Sequence, residues 1–233
     1  MIKAYVIRIV DNEVSEKAAN RLIESSKFVS NQFEIEKFNA VVPERINEIC
    51  KRSNLRWNYP WQGVHDDWAS GLMKIAYETA NPEKRVACFL SHYLLWCESV
   101  AFGEPILIFE HDALFQEHLD VDLLLESRYG IIGLNDPRGA TRRSLQFYEI
   151  MQANPDAIQP APKVDDMKIP QGIAGNSAYL IKPEAAMKLI NLTDEFGMWP
   201  NDAIMCQQLL PGVLGVTKTY HTTIQRTQST TTL

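Results

Sequence analysis

The chain has 233 residues, of which 45% are hydrophobic and 22% charged, with a formal net charge of −6 at pH 7. This length and composition describe a soluble globular protein that buries a full core without disulfide staples, as one large domain or two small ones. The acidic balance excludes a general nucleic-acid surface and leaves local basic clusters such as Arg142-Arg143 as anion contacts.

Ala4 to Val10 is nearly continuous in apolar residues and opens the chain as a strand covered on both faces. It is too short for a signal peptide or a membrane span, so a cytoplasmic location is expected. Ala18, Ala19, Leu22 and Ile23 fall at helical spacing and predict a helix from Val14 to Val29. Phe33 to Phe38 alternates apolar and polar residues as a second strand does. Strand, helix, strand is the opening of an α/β sheet. Asn54 to Ser70 gathers Trp57, Tyr59, Trp61 and Trp68 around Pro60 and Gly63. Such a loop either pins itself to the domain by its aromatics or serves as a lid or sugar-stacking surface.

Asn81 caps and Pro82 opens a helix that runs to about Phe102 and stops at Gly103. Ile106 to Phe109 is a short buried strand, Leu119 to Leu125 a short mixed segment, and Tyr129 to Leu134 another buried strand. Asp136 to Ile169 has several prolines and weak periodicity and reads as a long excursion, functional or mobile. Asn176 to Ile181 is a strand, Pro183 opens a helix through Ile190, and Trp199-Pro200-Asn201-Asp202 caps a further helix. Thr217 to Leu233 is rich in Thr and Gln with little core-forming content. The expected organisation is one domain over residues 1–233 with a polar tail from about 222 to 233.

The chemistry concentrates where the strand at Ile106 stops. Glu110 and Asp112 place two carboxylates, one residue apart, at the edge of a sheet, where ligands of open α/β sheets bind. Such a pair suits Mn²⁺ or Mg²⁺ holding a phosphorylated substrate; Asp112 capping the following segment is the plainer alternative. Gly172 to Ser177 (G-I-A-G-N-S) lets backbone approach a ligand closely but lacks the G-K-[ST] of a P-loop. Asp165-Asp166 reads as a solvated turn. Cys50, Cys88, Cys97 and Cys206 form no C-x-x-C pair, which argues against a zinc cluster and for free, buried thiols in a reducing compartment.

Several segments, in order along most of the chain, resemble the family 25 glycosyltransferases. They are A-Y-V-I-R-I at Ala4 to Ile9, F-N-A-V at Phe38 to Val41, A-C-F-L-S-H-Y-L-L-W at Ala87 to Trp96, I-L-I-F-E-H-D-A at Ile106 to Ala113, A-Y-L-I at Ala178 to Ile181, and P-N-D at Pro200 to Asp202. The resemblance implies a GT-A type α/β fold, a mixed sheet flanked by helices, and a D-x-D metal motif at Glu110-His111-Asp112. His111 departs from the acidic residue usual at the middle position.

By the same resemblance, Ser91 and His92 lie near the donor, Arg8 stands where Asn is usual at the end of the first strand, and Asn39 and Ala40 follow the second strand where a nucleoside docks. In the G-I-A-G-N-S segment, Asn176 and Ser177 are expected to face the acceptor or donor sugar. Asp202 is the candidate general base and His221 a candidate third metal ligand. A core histidine at His92, a helix cap at Asp202 and a surface histidine at His221 are the plainer readings of those positions.

The implied activity is metal-dependent, inverting transfer of a sugar, galactose first, from a UDP-sugar to a glycan or other hydroxyl acceptor. The alternatives are a catalytically silent sugar-binding module and a metal-dependent phosphohydrolase or nucleotidyltransferase. Acceptor contacts are expected in Asn54 to Ser70 and Asp136 to Ile169.

Overall fold

The structure, a computed structural model, describes residues 1–77, 79–140 and 143–225; Arg142 of the basic pair and most of the expected tail lie outside them. In chain order the elements are β1 (Ile2–Arg8), α1 (Glu13–Ser26), β2 (Phe33–Asn39), a 3₁₀ turn (Pro43–Arg45), α2 (Ile46–Ser53), β3 (Val64–Asp67), β4 (Leu72–Ile75), α3 (Pro82–Phe102), β5 (Ile106–Glu110) and β6 (Ala113–Phe115). There follow α4 (Val121–Glu126), β7 (Ile131–Gly133), α5 (Ser144–Ala153), β8 (Ile158–Pro160), β9 (Ala178–Ile181), α6 (Pro183–Phe196), α7 (Asn201–Ile204), β10 (Leu214–Thr217) and β11 (Thr222–Ile224).

The expected mixed α/β architecture is present: a seven-stranded sheet of order β2-β1-β5-β9-β7-β10-β8, flanked by helices. β2, β1 and β5 are parallel, β9 runs against β5 and β7, β10 is parallel to β7, and β8 closes the far edge antiparallel to β10. The uninterrupted apolar strands follow from burial on both faces. Ile106 and Ile108 join the core beneath α3 and α6, whereas Leu107 and Phe109 join the core beneath α1 and α4. This alternation is the two-residue period of a strand.

The cap residues of α3 behave as the sequence predicts. The Asn81 side chain accepts from the Lys84 N–H at 3.3 Å, Pro82 occupies the first turn, and Gly103 ends the helix in the left-handed region at φ 68°. Three expectations are corrected. Asn54 to Ser70 is not all loop, because Val64–Asp67 pairs with Leu72–Ile75 as an antiparallel hairpin. The excursion after Asp136 contains α5 and β8. Thr217 to Gln225 is packed rather than tail-like: Thr217, Tyr220, His221, Thr222 and Gln225 are all buried.

β11 pairs antiparallel with β6, and the Gln225 amide donates to the carbonyls of Ala18 (2.9 Å), His111 (3.3 Å) and Ala113 (2.9 Å). The Gln225 backbone N–H also donates to the Asp112 carbonyl at 2.6 Å. Among the described residues, no helix is long and apolar enough to cross a membrane.

Candidate active site at the carboxyl edge of the sheet

Three parallel strands end side by side. Arg8 pairs with Asn39 and Ile7 with Glu110, so Asn39, Arg8 and Glu110 share one edge. The antiparallel β9 begins at the same edge, where the Ser177 carbonyl accepts from the Glu110 N–H at 2.8 Å. Asn176, Ser177 and the Glu110-His111-Asp112 turn are thereby brought together.

Glu110 is held from behind by α3. His92 is fully buried; its Nε2 lies 3.2 Å from Glu110 Oε1 and its Nδ1 2.8 Å from the Tyr179 hydroxyl. Trp96 Nε1, which can only donate, reaches the same hydroxyl at 3.0 Å. Tyr179 therefore accepts from Trp96 and donates to Nδ1 of His92, and Nε2–H donates to the Glu110 carboxylate. Burial pushes the Glu110 pKa up, but the hydrogen bond from His92, together with the nearby Arg85 charge, outweighs it and holds the carboxyl below its ordinary range. His92 is thus both the core histidine and the residue that orients Glu110. Ser91 acts on the neighbouring loop: its hydroxyl donates to the Ala87 carbonyl at 2.8 Å and accepts from the Val41 N–H at 2.9 Å. That pins the chain just after Asn39, which is exposed, and Ala40, whose N–H donates to the Arg8 carbonyl.

Asp112 takes a hydrogen bond from the Ser177 hydroxyl, while its Oδ1 is buried without a partner. Burial and the neighbouring Glu110 push its pKa up to about 7. His111 donates to the Ile7 carbonyl on the neighbouring strand; burial lowers its pKa, with the Glu110 charge opposing. The middle residue of the motif thus braces β1 instead of completing a carboxylate cluster. Glu110 and Asp112, a repelling carboxylate pair with an unpaired buried oxygen, fit a hard divalent cation.

Asp202 is the second residue of α7, in its first turn, and does not cap it; Pro200 is the cap, without a side-chain bond. Its Oδ1 is buried and unpaired, and Tyr77 donates a hydrogen bond to the carboxylate. Burial raises the Asp202 pKa, with Arg85 opposing and Glu110 adding to the rise. Asp202 and Tyr77 line a cleft of about 130 Å³ with Phe147, Pro162 and Ala174. Arg143 and Asp165 line it too; Arg143 bonds the Val164 carbonyl at 2.7 Å and faces Asp165 at 3.5 Å, so Asp165 is not a free solvated turn residue. Gly172 approaches backbone, not ligand: a Cβ there would lie 2.8 Å from the Asp202 carbonyl oxygen and 2.6 Å from that of Met205.

Arg85 is the residue sequence reading missed. Its Nε is buried without a partner, its guanidinium lies 5.4 Å over the Tyr77 ring, and its charge acts on Glu110, Asp202 and Cys88. Asn176, with both amide atoms buried and unpaired, completes the set. Arg85, Asp112, Asn176 and Asp202 thus each bring a buried polar atom without a partner, and such groups in native proteins call for an explanation such as catalysis or a bound ion.

Two candidates stand apart. Arg8 leans toward α1, 3.5 Å from Glu16, which Lys37 also pairs. His221 lies opposite Gln116, past the far end of β6, and its Nδ1 bonds the His118 carbonyl at 2.6 Å. Four strand residues separate that level from Asp112, roughly 13 Å, so His221 does not join Glu110 and Asp112.

In the Trp-rich loop, Trp57 and Trp61 stack at 4.7 Å, Tyr59 is buried against Tyr77 and Trp199, and Trp68 projects from the hairpin turn 94% exposed. All four cysteines are free, but only Cys206 is fully buried.

Residues 1–205 match the family model described as Glycosyltransferase family 25 (LPS biosynthesis protein). Among solved structures, the chain is similar to mouse xyloside xylosyltransferase 1 in its apo form, at 9% identity and a TM-score of 0.46 over 91% of this chain and 83% of that one. It is also similar to the galactosyltransferase LgtC in complex with donor and acceptor sugar analogs, at 9% identity and a TM-score of 0.41 over 97% of this chain and 87% of that one. No curated protein matches it.

Proposed function

We propose, on the footing that the chain belongs to glycosyltransferase family 25 and is therefore a glycosyltransferase, that it transfers a sugar from a UDP-sugar to a hydroxyl acceptor with inversion and with the help of a divalent cation. Galactose is the first donor sugar to test. The observation that carries this reading is the convergence of unpaired buried polar atoms from Arg85, Asp112, Asn176 and Asp202 around one sheet edge.

Glu110 and Asp112 would hold Mn²⁺ or Mg²⁺, which when bound supplies charge stabilisation for the departing diphosphate. Arg85, beside them, adds a fixed positive charge for the same phosphates. Asp202, raised by burial yet steadied by Tyr77, takes the proton of the acceptor hydroxyl as it attacks the anomeric carbon. Asn39 and Ala40, at the end of β2, offer the nucleoside a docking edge, and Asn176 offers its amide to a sugar hydroxyl. A glycan acceptor would enter through the cleft that Asp202 lines.

His111 donates to the Ile7 carbonyl, and Glu110 and Asp112 keep both flanking carboxylates of the motif. The test is a panel of UDP-sugars with Mn²⁺ and glycan acceptors, using wild type and Asp202→Asn. Transfer in the wild type with roughly a 10²–10⁴-fold lower kcat in the variant supports the reading. Phosphate release without sugar transfer, or equal turnover by Asp202→Asn, overturns it.

A further inference from the structure

Cys88 and His92 are one helical turn apart on α3, so both side chains project from the same stripe of the helix toward the end of β5. There they meet Glu110: Cys88 Sγ, a His92 ring nitrogen and a Glu110 carboxylate oxygen all lie within 4.8 Å of one another. The sequence argument against zinc rested on the missing C-x-x-C pair; a Cys-x-x-x-His pair on one helix face, joined by a carboxylate from a strand, supplies three ligands by another route.

We infer that Cys88, His92 and Glu110 form a second metal site, specific for a thiophilic cation of the zinc class, and that filling it inhibits the enzyme by withdrawing Glu110 from the hard-cation pair.

Thiolate and imidazole select zinc-class ions, whereas Mn²⁺ and Mg²⁺ select the oxygen pair of Glu110 and Asp112. Ligand atoms around a tetrahedral zinc stand about 3.5 Å apart, so modest side-chain rotation closes the set and leaves the fourth position to water. Binding releases the Cys88 thiol proton to solvent. The His92 proton moves from Nε2 to Nδ1, which then donates to the Tyr179 hydroxyl, the kind of outer hydrogen bond that ligating histidines make. Thiolate and carboxylate together bring two negative charges, which balance those of a divalent ion held beside the Arg85 guanidinium that also faces Cys88. Glu110 belongs to both sites, and one carboxylate oriented by a zinc ion at His92 cannot keep the geometry that Asp112 and a hard cation require.

The site itself stands on the α3–β5 geometry alone; the inhibition rests on the proposed transferase reading. Metal-stripped protein is titrated with Co²⁺, a spectroscopic stand-in for zinc, in wild type, Cys88→Ser and Cys88→Ala. One equivalent should give a near-ultraviolet thiolate-to-cobalt band that both variants lack, with affinity lowered beyond the roughly 10–100-fold that an outer-shell loss costs. In Mn²⁺-supported transfer assays, Zn²⁺ should inhibit the wild type, and both variants should keep basal activity and resist zinc. Absence of the band, its persistence in both variants, or equal zinc sensitivity in all three proteins overturns the inference. If no UDP-sugar is ever transferred, the proposed function fails while the cobalt band still decides the site.

Discussion

Asp112 carries the most informative ionisation in the molecule. Its carboxyl is raised to about 7 by burial and by Glu110, against 3.8 when free. A raised acid binds more protons folded than unfolded between those two values, so the metal-free protein loses stability from this group as pH rises from about 4 to about 7. Glu110, held low by His92, acts in the opposite sense and contributes stability that is lost only on further acidification. In chelator, Asp112→Asn should flatten the stability–pH curve over the window below neutrality, and urea midpoints at successive pH values measure it. A curve that keeps its slope in Asp112→Asn would mean the carboxyl is not raised. The acidic strand end was legible because two carboxylates after an apolar run are unusual. Arg85 was not, because an arginine inside a helix reads as a surface residue until its burial is seen.

At the scale of elements, α3 and β9 are joined by the Trp96–Tyr179–His92–Glu110 chain of hydrogen bonds. Tyr179→Phe removes the acceptor of one buried donor and the donor of one buried acceptor, and should cost about 2–4 kcal/mol. Because His92 then loses its anchor, more Mn²⁺ should be needed for half-maximal activity. A variant that unfolds earlier in urea with an unchanged Mn²⁺ requirement would make the chain purely structural.

The β3–β4 hairpin depends on one buried cation. Lys74 Nζ lies 3.1 Å from Asp67 and 2.8 Å from the Asn58 carbonyl, and 4.1 Å over the Trp199 ring, with the two charged side chains 4% and 16% exposed. Lys74→Ala leaves Asp67 uncompensated and should cost about 3–5 kcal/mol, whereas Lys74→Met with Asp67→Leu should recover most of it. Denaturant unfolding of the three proteins distinguishes an ion pair that stabilises from one that merely must not be broken.

At the scale of the whole molecule, the strands covered on both faces were readable, since Ile106 to Phe109 and Tyr129 to Leu134 had no polar interruption. The caps of α3 were equally readable. Sheet order was not, because strand partners such as Ile108 and Tyr179 come from distant parts of the chain. The hairpin escaped notice because V-H-D-D is mostly exposed and lacks alternation. Residues 217–225 escaped because they are buried largely through hydrogen bonds: Thr222 donates to Asn135 at 3.0 Å, and Gln225 spends its amide on three carbonyls. Hydropathy does not register polar burial of that kind.

The Gln225 clasp also sets a clock. His111 and the residue that grips its turn are 114 positions apart, so a ribosome translating the chain exposes that turn long before its clamp emerges. A chain stopped after Tyr220 lacks β11 and this clasp; it should keep the seven-stranded sheet but bind Mn²⁺ more weakly at the proposed Glu110 and Asp112 pair, as calorimetric titration would reveal.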